Sequence, residues 1–147
     1  MASVRERYEF LPRREAHREG GGQIANGNIP PAVIAPKQSQ TRYVFSSMMS
    51  GHDDQTPDHR LPDTAQAEAD IMFRHIRQFV ENAGGTPSDI VNLTFFTMKD
   101  EFRPLIEQGV DALADSSKRP TYHVVNVAPS GLRGERFEVV TTACVKR

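Results

Sequence analysis

The chain has one cysteine, no long apolar run and almost no net charge, and each scarcity excludes a class of protein. Because Cys144 is the only cysteine, an internal disulfide framework is impossible and a thiolate metal site is disfavoured, which fits a reducing cytoplasm. No apolar stretch reaches the length of a membrane span, and the arginine-studded start lacks the apolar core of a secretory signal, so we expect a soluble protein. A formal charge of -1 gives no global attraction for nucleic acid or an anionic membrane.

The length and composition favour one globular domain preceded by an extension. A chain of 147 residues that is 37% hydrophobic and 25% charged can bury one sizeable core but not two enzyme domains. Residues 1–28 interleave five arginines with four glutamates and end in stretches rich in glycine and asparagine. We therefore expect residues 1–28 to form an extension that is flexible or docked on a partner, and residues 29–147 to form the domain.

The spacing of apolar residues predicts two helices within that domain. In the first, apolar residues recur at helical spacing over residues 65–83, and Gly84-Gly85 ends the run. Asp63, with Gln66 three residues later, has the spacing of a capping box. The second helix is predicted over residues 100–114 on the same grounds.

Alternating and continuous apolar segments predict the strands, which lie at 30–36, 41–49, 90–97, 121–127 and 136–145. The order β-β-α-β-α-β-β places both helices on one face of a sheet, which is an α+β sandwich. The other face still presents apolar positions. Copies of the same chain are the simplest cover for it, so we expect a closed symmetric oligomer with candidate sites in the crevices between subunits.

Arg119 is the most informative candidate for a binding residue, because it lies where a loop turns into the strand at 121–127. A guanidinium presents a planar fork of donors that matches the two oxygens of a small carboxylate. On spacing alone, an ordinary surface arginine remains the alternative. His123 follows four residues later and is predicted to share a side of the strand with Arg119.

A polar loop gathers residues that could in principle ligate a metal: His52, Asp53, Asp54, Asp58 and His59. A flexible loop that contains Pro57 and Pro62 is a poor rigid cage. Solvated turns are therefore the preferred interpretation, and no metal is expected. His75 lies at the edge of the apolar stripe of the first helix and is interpreted as a packing residue rather than a base.

Six segments of residues 29–147 form an ordered set: Ile29-Pro30-Pro31-Ala32-Val33-Ile34-Ala35-Pro36, Tyr43-Val44-Phe45-Ser46-Ser47, Val80-Glu81-Asn82-Ala83-Gly84-Gly85, Ser88-Asp89-Ile90-Val91-Asn92-Leu93-Thr94-Phe95-Phe96, Arg119-Pro120-Thr121 and Phe137-Glu138-Val139-Val140. In these segments and in their order, the chain resembles the Rid family, the YjgF-like enamine and imine deaminases. The resemblance implies a chorismate-mutase-like α+β fold with a mixed sheet, a homotrimer with three clefts between subunits, and no metal or organic cofactor.

The resemblance also implies roles for individual residues. In the family's active members an arginine holds the substrate carboxylate and a glutamate on the last strand helps to place the water. These roles fall on Arg119 and, to within one residue of alignment, on Glu138. Ser47, Thr121 and Tyr122 are the further candidates for substrate binding. For Glu138 alone, a solvent-exposed charge on an alternating strand is the alternative.

Departures from the family pattern leave the substrate open. The chain reads Ala35-Pro36-Lys37-Gln38 where the family often has an aromatic residue, and Ser47-Met48 where it has serine-glycine. A cofactor-free deaminase of 2-aminoacrylate, of a larger carboxylated imine or of an aminomuconate-type dienoate is therefore the first hypothesis. A non-catalytic ligand-binding or regulatory trimer is the second. Action on RNA is a weaker third, since the chain carries almost no net charge.

Overall fold

A single mixed sheet carries both helices on one face, as the order of the predicted elements requires. The structure, a computed structural model, describes residues 9–10, 32–34, 40–113, 116–128 and 134–146. The elements of this part are β1 (Glu9–Phe10), β2 (Ala32–Ile34), β3 (Thr41–Ser46), β4 (Met49–Ser50), α1 (Ala65–Asn82), β5 (Ile90–Thr97), α2 (Arg103–Leu113), β6 (Thr121–Asn126) and β7 (Phe137–Lys146).

The strands follow the order β1-β2-β3-β7-β5-β6, and β4 also pairs with β7. Only the β5–β6 pair is parallel among the described strand pairs. The parallel pair follows from the crossover through α2, because a strand, a helix and a second strand return in the same direction. The predicted α+β architecture with a mixed sheet is confirmed.

The predicted strand at 41–49 is wrong in one respect, because a bulge divides it into β3 and β4. Phe45 lies opposite Thr142 and Met49 lies opposite Val139, so four residues on one strand span three on the other. The extra residue falls at Ser47-Met48, where both side chains are exposed. A bulge of this kind bends its strand and redirects a side chain.

Helix α1 begins and ends at polar and glycine signals, although its first cap is not the predicted one. The capping box of Asp63 and Gln66 is wrong, because Thr64 is the N-cap and accepts from the backbone N–H of Ala67 at 3.2 Å. At the other end, Gly85 N–H donates to the carbonyl of Val80, and Gly84 has a φ of +82°. The predicted end at Gly84-Gly85 is confirmed, since a left-handed residue there suits glycine.

Helix α2 is shorter than the predicted range because its first residues, Asp100–Phe102, form a 3-10 turn. It packs closely on α1 at Gly109. A Cβ placed on Gly109 would lie 1.9 Å from Cε2 of Phe73, so only glycine lets the two helices approach this far.

The core lies between the helices and one face of the sheet. Residues of β7 alternate between buried and half-buried from Phe137 to Val145, the pattern of a strand with one covered face. Phe95 on β5 and Met72 and Ile76 on α1 are also fully buried. These residues identify the helix-covered face of the sheet. Because side chains alternate along a strand, they also determine which strand residues lie on the opposite face.

A buried ion pair fixes the start of β7 against α1. Glu68 is 0% exposed, and its carboxylate accepts from Arg136 N–H at 2.7 Å, from Phe137 N–H at 3.1 Å and from Arg136 Nη1 at 2.7 Å. Arg136 also donates to the carbonyls of Pro62 and Asp63. The loop before α1, the helix and the strand that carries Glu138 are thus held together.

The opposite face of the sheet, the open face, carries apolar side chains in contact with solvent, as predicted. Tyr43 and Phe45 on β3 are 49% and 46% exposed, and Val125 on β6 is 40% exposed. Their strand neighbours Tyr122, Val124 and Val44 lie on the helix-covered side. The prediction that two helices leave one face uncovered within a single chain is confirmed.

Part of the predicted extension joins the sheet, since Glu9–Phe10 pairs antiparallel with Ala32–Ile34. The rest of residues 1–28, like the interpretation of Ala35-Pro36-Lys37-Gln38, lies outside the described residues, and the domain boundary stays a prediction. Neither of the two described helices is long and apolar enough to cross a membrane.

Candidate functional site

Arg119 precedes β6 by two residues and presents its guanidinium beside the last turn of α2. Its Nη2 lies 2.7 Å from Oδ1 of Asp111, and its Cζ lies 5.5 Å from the centre of the Tyr122 ring. The Arg119 side chain is 43% exposed. The cation–π contact and the ion pair both restrain the guanidinium, while part of its donor fork remains open to solvent.

Tyr122 is a support for Arg119, because its ring lies on the helix-covered side of the sheet. It makes an edge-on contact with the buried Phe95, with ring centres 6.5 Å apart. Since strand residues alternate, His123 lies on the open face. The prediction that Arg119 and His123 share a side is therefore wrong: the guanidinium turns toward Tyr122 and α2.

Thr121 is engaged in bracing the edge of the sheet. Its hydroxyl donates to the carbonyl of Val91 at 2.8 Å and accepts from the side-chain amide of Asn92 at 3.0 Å. The carbonyl of Val91 is available because β5 has a register shift between Ile90 and Asn92. The bracing fixes the start of β6 directly after Arg119.

Glu138 is half-buried on the open face of β7, flanked by Ser50 on β4 and Phe96 on β5. Phe96 in turn lies opposite Val125, which is four residues beyond Thr121 on β6. Four strand residues span about 13 Å, and Arg119 lies further on. Within one chain, Arg119 and Glu138 therefore lie toward opposite ends of β6 and on opposite faces of the sheet.

Ser47 lies in the bulge between β3 and β4 and is exposed. Ser47 precedes Ser50 by three residues, and Ser50 pairs with Glu138. Ser47 therefore lies in the region of Glu138 rather than in that of Arg119. The structure thus divides the predicted site residues into two groups: Arg119, Thr121 and Tyr122 at the start of β6, and Ser47 and Glu138 around β4 and β7.

The loop with the possible metal ligands is fixed by ionic contacts to α1. Arg74 Nη2 lies 2.6 Å from Oδ1 of Asp54 and 3.2 Å from Oδ1 of Asp53. His75 Nδ1 lies 2.9 Å from the carbonyl oxygen of Ser50, and its Nε2 lies 3.2 Å from Asp54. Burial alone would raise the pKa of Asp54, but the contacts with His75 and Arg74 together hold it below its usual value. His75 thus joins α1 to β4 and to Asp54 through polar contacts, which the interpretation as a packing residue did not include.

Two acidic residues near the predicted site were not found from the sequence. Asp111 contacts Arg119, and Glu135, whose side chain is 9% exposed, lies 3.8 Å from Nδ1 of His52. A signal existed for Asp111: an acidic residue in the last turn of a helix opposes the helix dipole and usually has a compensating partner. None existed for Glu135, which lies in a glycine-rich loop in the sequence.

Comparison with known structures places this geometry on an established fold. The chain is similar to RidA from an Antarctic Psychrobacter species, with 24% identity, a TM-score of 0.67, and 83% of this chain and 92% of that chain covered. It is similar to the YjgF gene product of E. coli at 21% identity and a TM-score of 0.64, with 84% and 91% covered. E. coli TdcF with bound serine matches at 21% identity and a TM-score of 0.67, with 94% and 99% covered.

The likeness is one of fold, and it confirms the YjgF-like α+β architecture predicted from the sequence. A scan against protein-family models finds no match. A search of curated proteins likewise finds no similar sequence.

Proposed function

We propose that the chain is a member of the Rid family and a cofactor-free hydrolytic deaminase of a carboxylated enamine or imine. The single observation that carries the proposal is Arg119: an ion-paired and partly exposed guanidinium in cation–π contact with Tyr122, just before β6, on a chain with a RidA-like fold. Such a group can hold a carboxylate and orient the carbon next to it.

The reaction that we propose needs a bound water rather than a cofactor. The enamine tautomerises to an imine, water adds to the C=N carbon, and the resulting carbinolamine breaks its C–N bond to give a carbonyl acid and ammonia. Arg119 would hold the carboxylate, and Glu138 would order the water and accept its proton. Ser47 and Thr121 would contribute polar contacts to the substrate.

We further propose that the active form is a homotrimer with sites between subunits, in the cytoplasm. Two observations support this assembly. The open face carries exposed Tyr43, Phe45 and Val125, which a second copy could cover. Arg119 and Glu138 lie apart within one chain, so a shared site would take Arg119 from one subunit and Glu138 from another.

The same separation favours a second candidate function, a non-catalytic trimer that binds small carboxylates through Arg119 alone. The two candidates differ in ammonia release. An amino-acid oxidase or a dehydratase can generate the imino acid in the presence of the protein, and ammonia and keto acid can then be followed.

Variants of Arg119 test the carboxylate site. Arg119→Ala should weaken carboxylate binding by about 2 kcal/mol, or about thirtyfold, and Arg119→Lys should restore little because a point charge lacks the fork. The matched control is Arg103→Ala, since Arg103 is also partly exposed and lies 3.5 Å from an aspartate. Equal effects of the Arg119 and Arg103 substitutions would refute the site.

Glu138→Gln tests the proton acceptor. It should leave ligand binding intact and reduce ammonia release by about a hundredfold. Unchanged turnover would remove Glu138 from the mechanism. If the unmodified protein turned over no carboxylated imine, the binding-protein alternative would be favoured.

A further inference from the structure

The ion pair between Arg119 and Asp111 places a negative group directly beside the proposed carboxylate site. The two side chains are joined by Nη2 and Oδ1 at 2.7 Å, with side-chain exposures of 43% and 63%. Arginine has five N–H donors, and a contact through Nη2 leaves other donors of the fork for a ligand. Asp111 likewise has a second carboxylate oxygen on a largely exposed side chain.

The position of Asp111 is electrostatically unfavourable for the helix that carries it. It lies in the last turn of α2, which ends at Leu113 and has no basic residue in that turn. Carbonyl groups give this end of a helix a partial negative charge, so an aspartate there is repelled. Arg119 compensates this repulsion, and the result is a positive and a negative group side by side on the surface.

We propose that Asp111 and Arg119 together recognise a ligand in which a cationic nitrogen lies next to a carboxylate. This inference rests on the proposed role of Arg119 as the carboxylate-binding residue and adds a second residue, Asp111, to that site. The guanidinium takes the ligand carboxylate, and Asp111 accepts from its ammonium or iminium N–H groups. Asp111 is then a specificity-determining residue that favours amino and imino acids over plain carboxylic acids.

The chemistry of the pair explains this preference. A simple carboxylate gains from Arg119 but is repelled by Asp111, so the two effects oppose each other. In an α-amino acid the ammonium nitrogen and the carboxylate carbon are bonded to the same carbon, so the two charges lie side by side, as the guanidinium of Arg119 and the carboxylate of Asp111 do. A zwitterion can therefore satisfy both side chains at once.

The test compares two probes that share a skeleton and differ in one group. At neutral pH L-serine carries an ammonium beside its carboxylate, whereas glycerate has a hydroxyl in that place. Binding of both is measured by calorimetry to the unmodified protein, Asp111→Asn, Arg119→Ala and Glu107→Gln. Glu107→Gln is the matched control, because the substitution removes one negative charge from the same helix, one turn before Asp111.

Asp111→Asn should lower the ratio of serine affinity to glycerate affinity about fivefold, the effect of one partly exposed ionic contact. Glu107→Gln should leave the ratio unchanged, and Arg119→Ala should weaken both probes. If Asp111→Asn leaves the ratio of serine affinity to glycerate affinity unchanged, the inference is overturned. If both probes then bind more tightly, Asp111 only competes with ligands for Arg119; if both bind more weakly, it only positions Arg119. If neither probe binds the unmodified protein, or Arg119→Ala has no effect, the carboxylate site itself is refuted.

Discussion

Replacement of Glu68 by alanine should be among the most damaging single changes in this chain. Glu68 is 0% exposed and accepts three hydrogen bonds at the junction of α1 and β7. The substitution removes all three acceptor contacts and leaves the N–H groups of Arg136 and Phe137 without this partner. The strand that begins there carries Glu138, so the proposed site depends on the same junction.

The size of the effect follows from burial. Removing one member of a buried ion pair costs about 3 to 5 kcal/mol, because the remaining charge is left uncompensated. Arg136 is 28% exposed and keeps its contacts with the carbonyls of Pro62 and Asp63, so water can partly solvate its guanidinium. We therefore expect the lower end, about 3 kcal/mol, which corresponds to a fall in Tm of about 10 °C for a domain of this size.

The assay is urea unfolding followed by circular dichroism at one fixed protein concentration, because the proposed self-association would make the stability depend on concentration. Glu68→Gln, which keeps the shape and removes the charge, should give a smaller loss. Glu81→Ala is the control, because Glu81 is exposed on the same helix. A Glu68→Ala protein within about 1 kcal/mol of the unmodified one would refute the assignment of Glu68 as a buried anchor.

Three further outcomes are expected. Gly109→Ala should destabilise the protein by about 1 to 3 kcal/mol in urea, because the new Cβ would meet the ring of Phe73; an unchanged midpoint would contradict the close helix packing. The contacts with His75 and Arg74 lower the pKa of Asp54 in the folded protein, so the stability that Asp54 contributes is present above its unfolded pKa, near 4, and is lost as pH falls through the folded pKa. Asp54→Asn should therefore make the free energy of unfolding less dependent on pH in this acid range. Equal acid sensitivity of the variant and the unmodified protein would argue against this role of Asp54. Light scattering of the purified protein should give about three chain masses, since the open face needs a cover, and a stable monomer at micromolar concentration would remove the shared-site proposal.

The local elements could be predicted from the sequence because their signals lie within a few residues of one another. Apolar residues at helical spacing and the Gly84-Gly85 pair gave the extent of α1, and the continuous apolar run gave β5 with its observed bounds. Once two helices and several strands were assigned, a one-sided α+β sheet with an open face followed from the need to bury apolar surface. The N-cap was misassigned by one residue, since Asp63 and Thr64 are both good caps and only the backbone geometry selects Thr64.

Contacts between residues far apart in the sequence were decided by the tertiary structure. Arg119 was found from its position before a strand, but its orientation toward Tyr122 and Asp111 depends on where α2 ends over the sheet. The bulge at Ser47-Met48 depends on the pairing of β3 and β4 with β7, which no local pattern encodes.

The distance between Arg119 and Glu138 shows most clearly what could not be predicted from the sequence. Arg119 was selected by its position before a strand and Glu138 by resemblance, and the sequence order says nothing of their separation. The register of β7 with β5, and of β5 with β6, sets them toward opposite ends of β6. Hydrophobic periodicity determines which face of a strand is buried, because it repeats every two residues, whereas the relative positions of strands along the sheet are determined only when the strands pair.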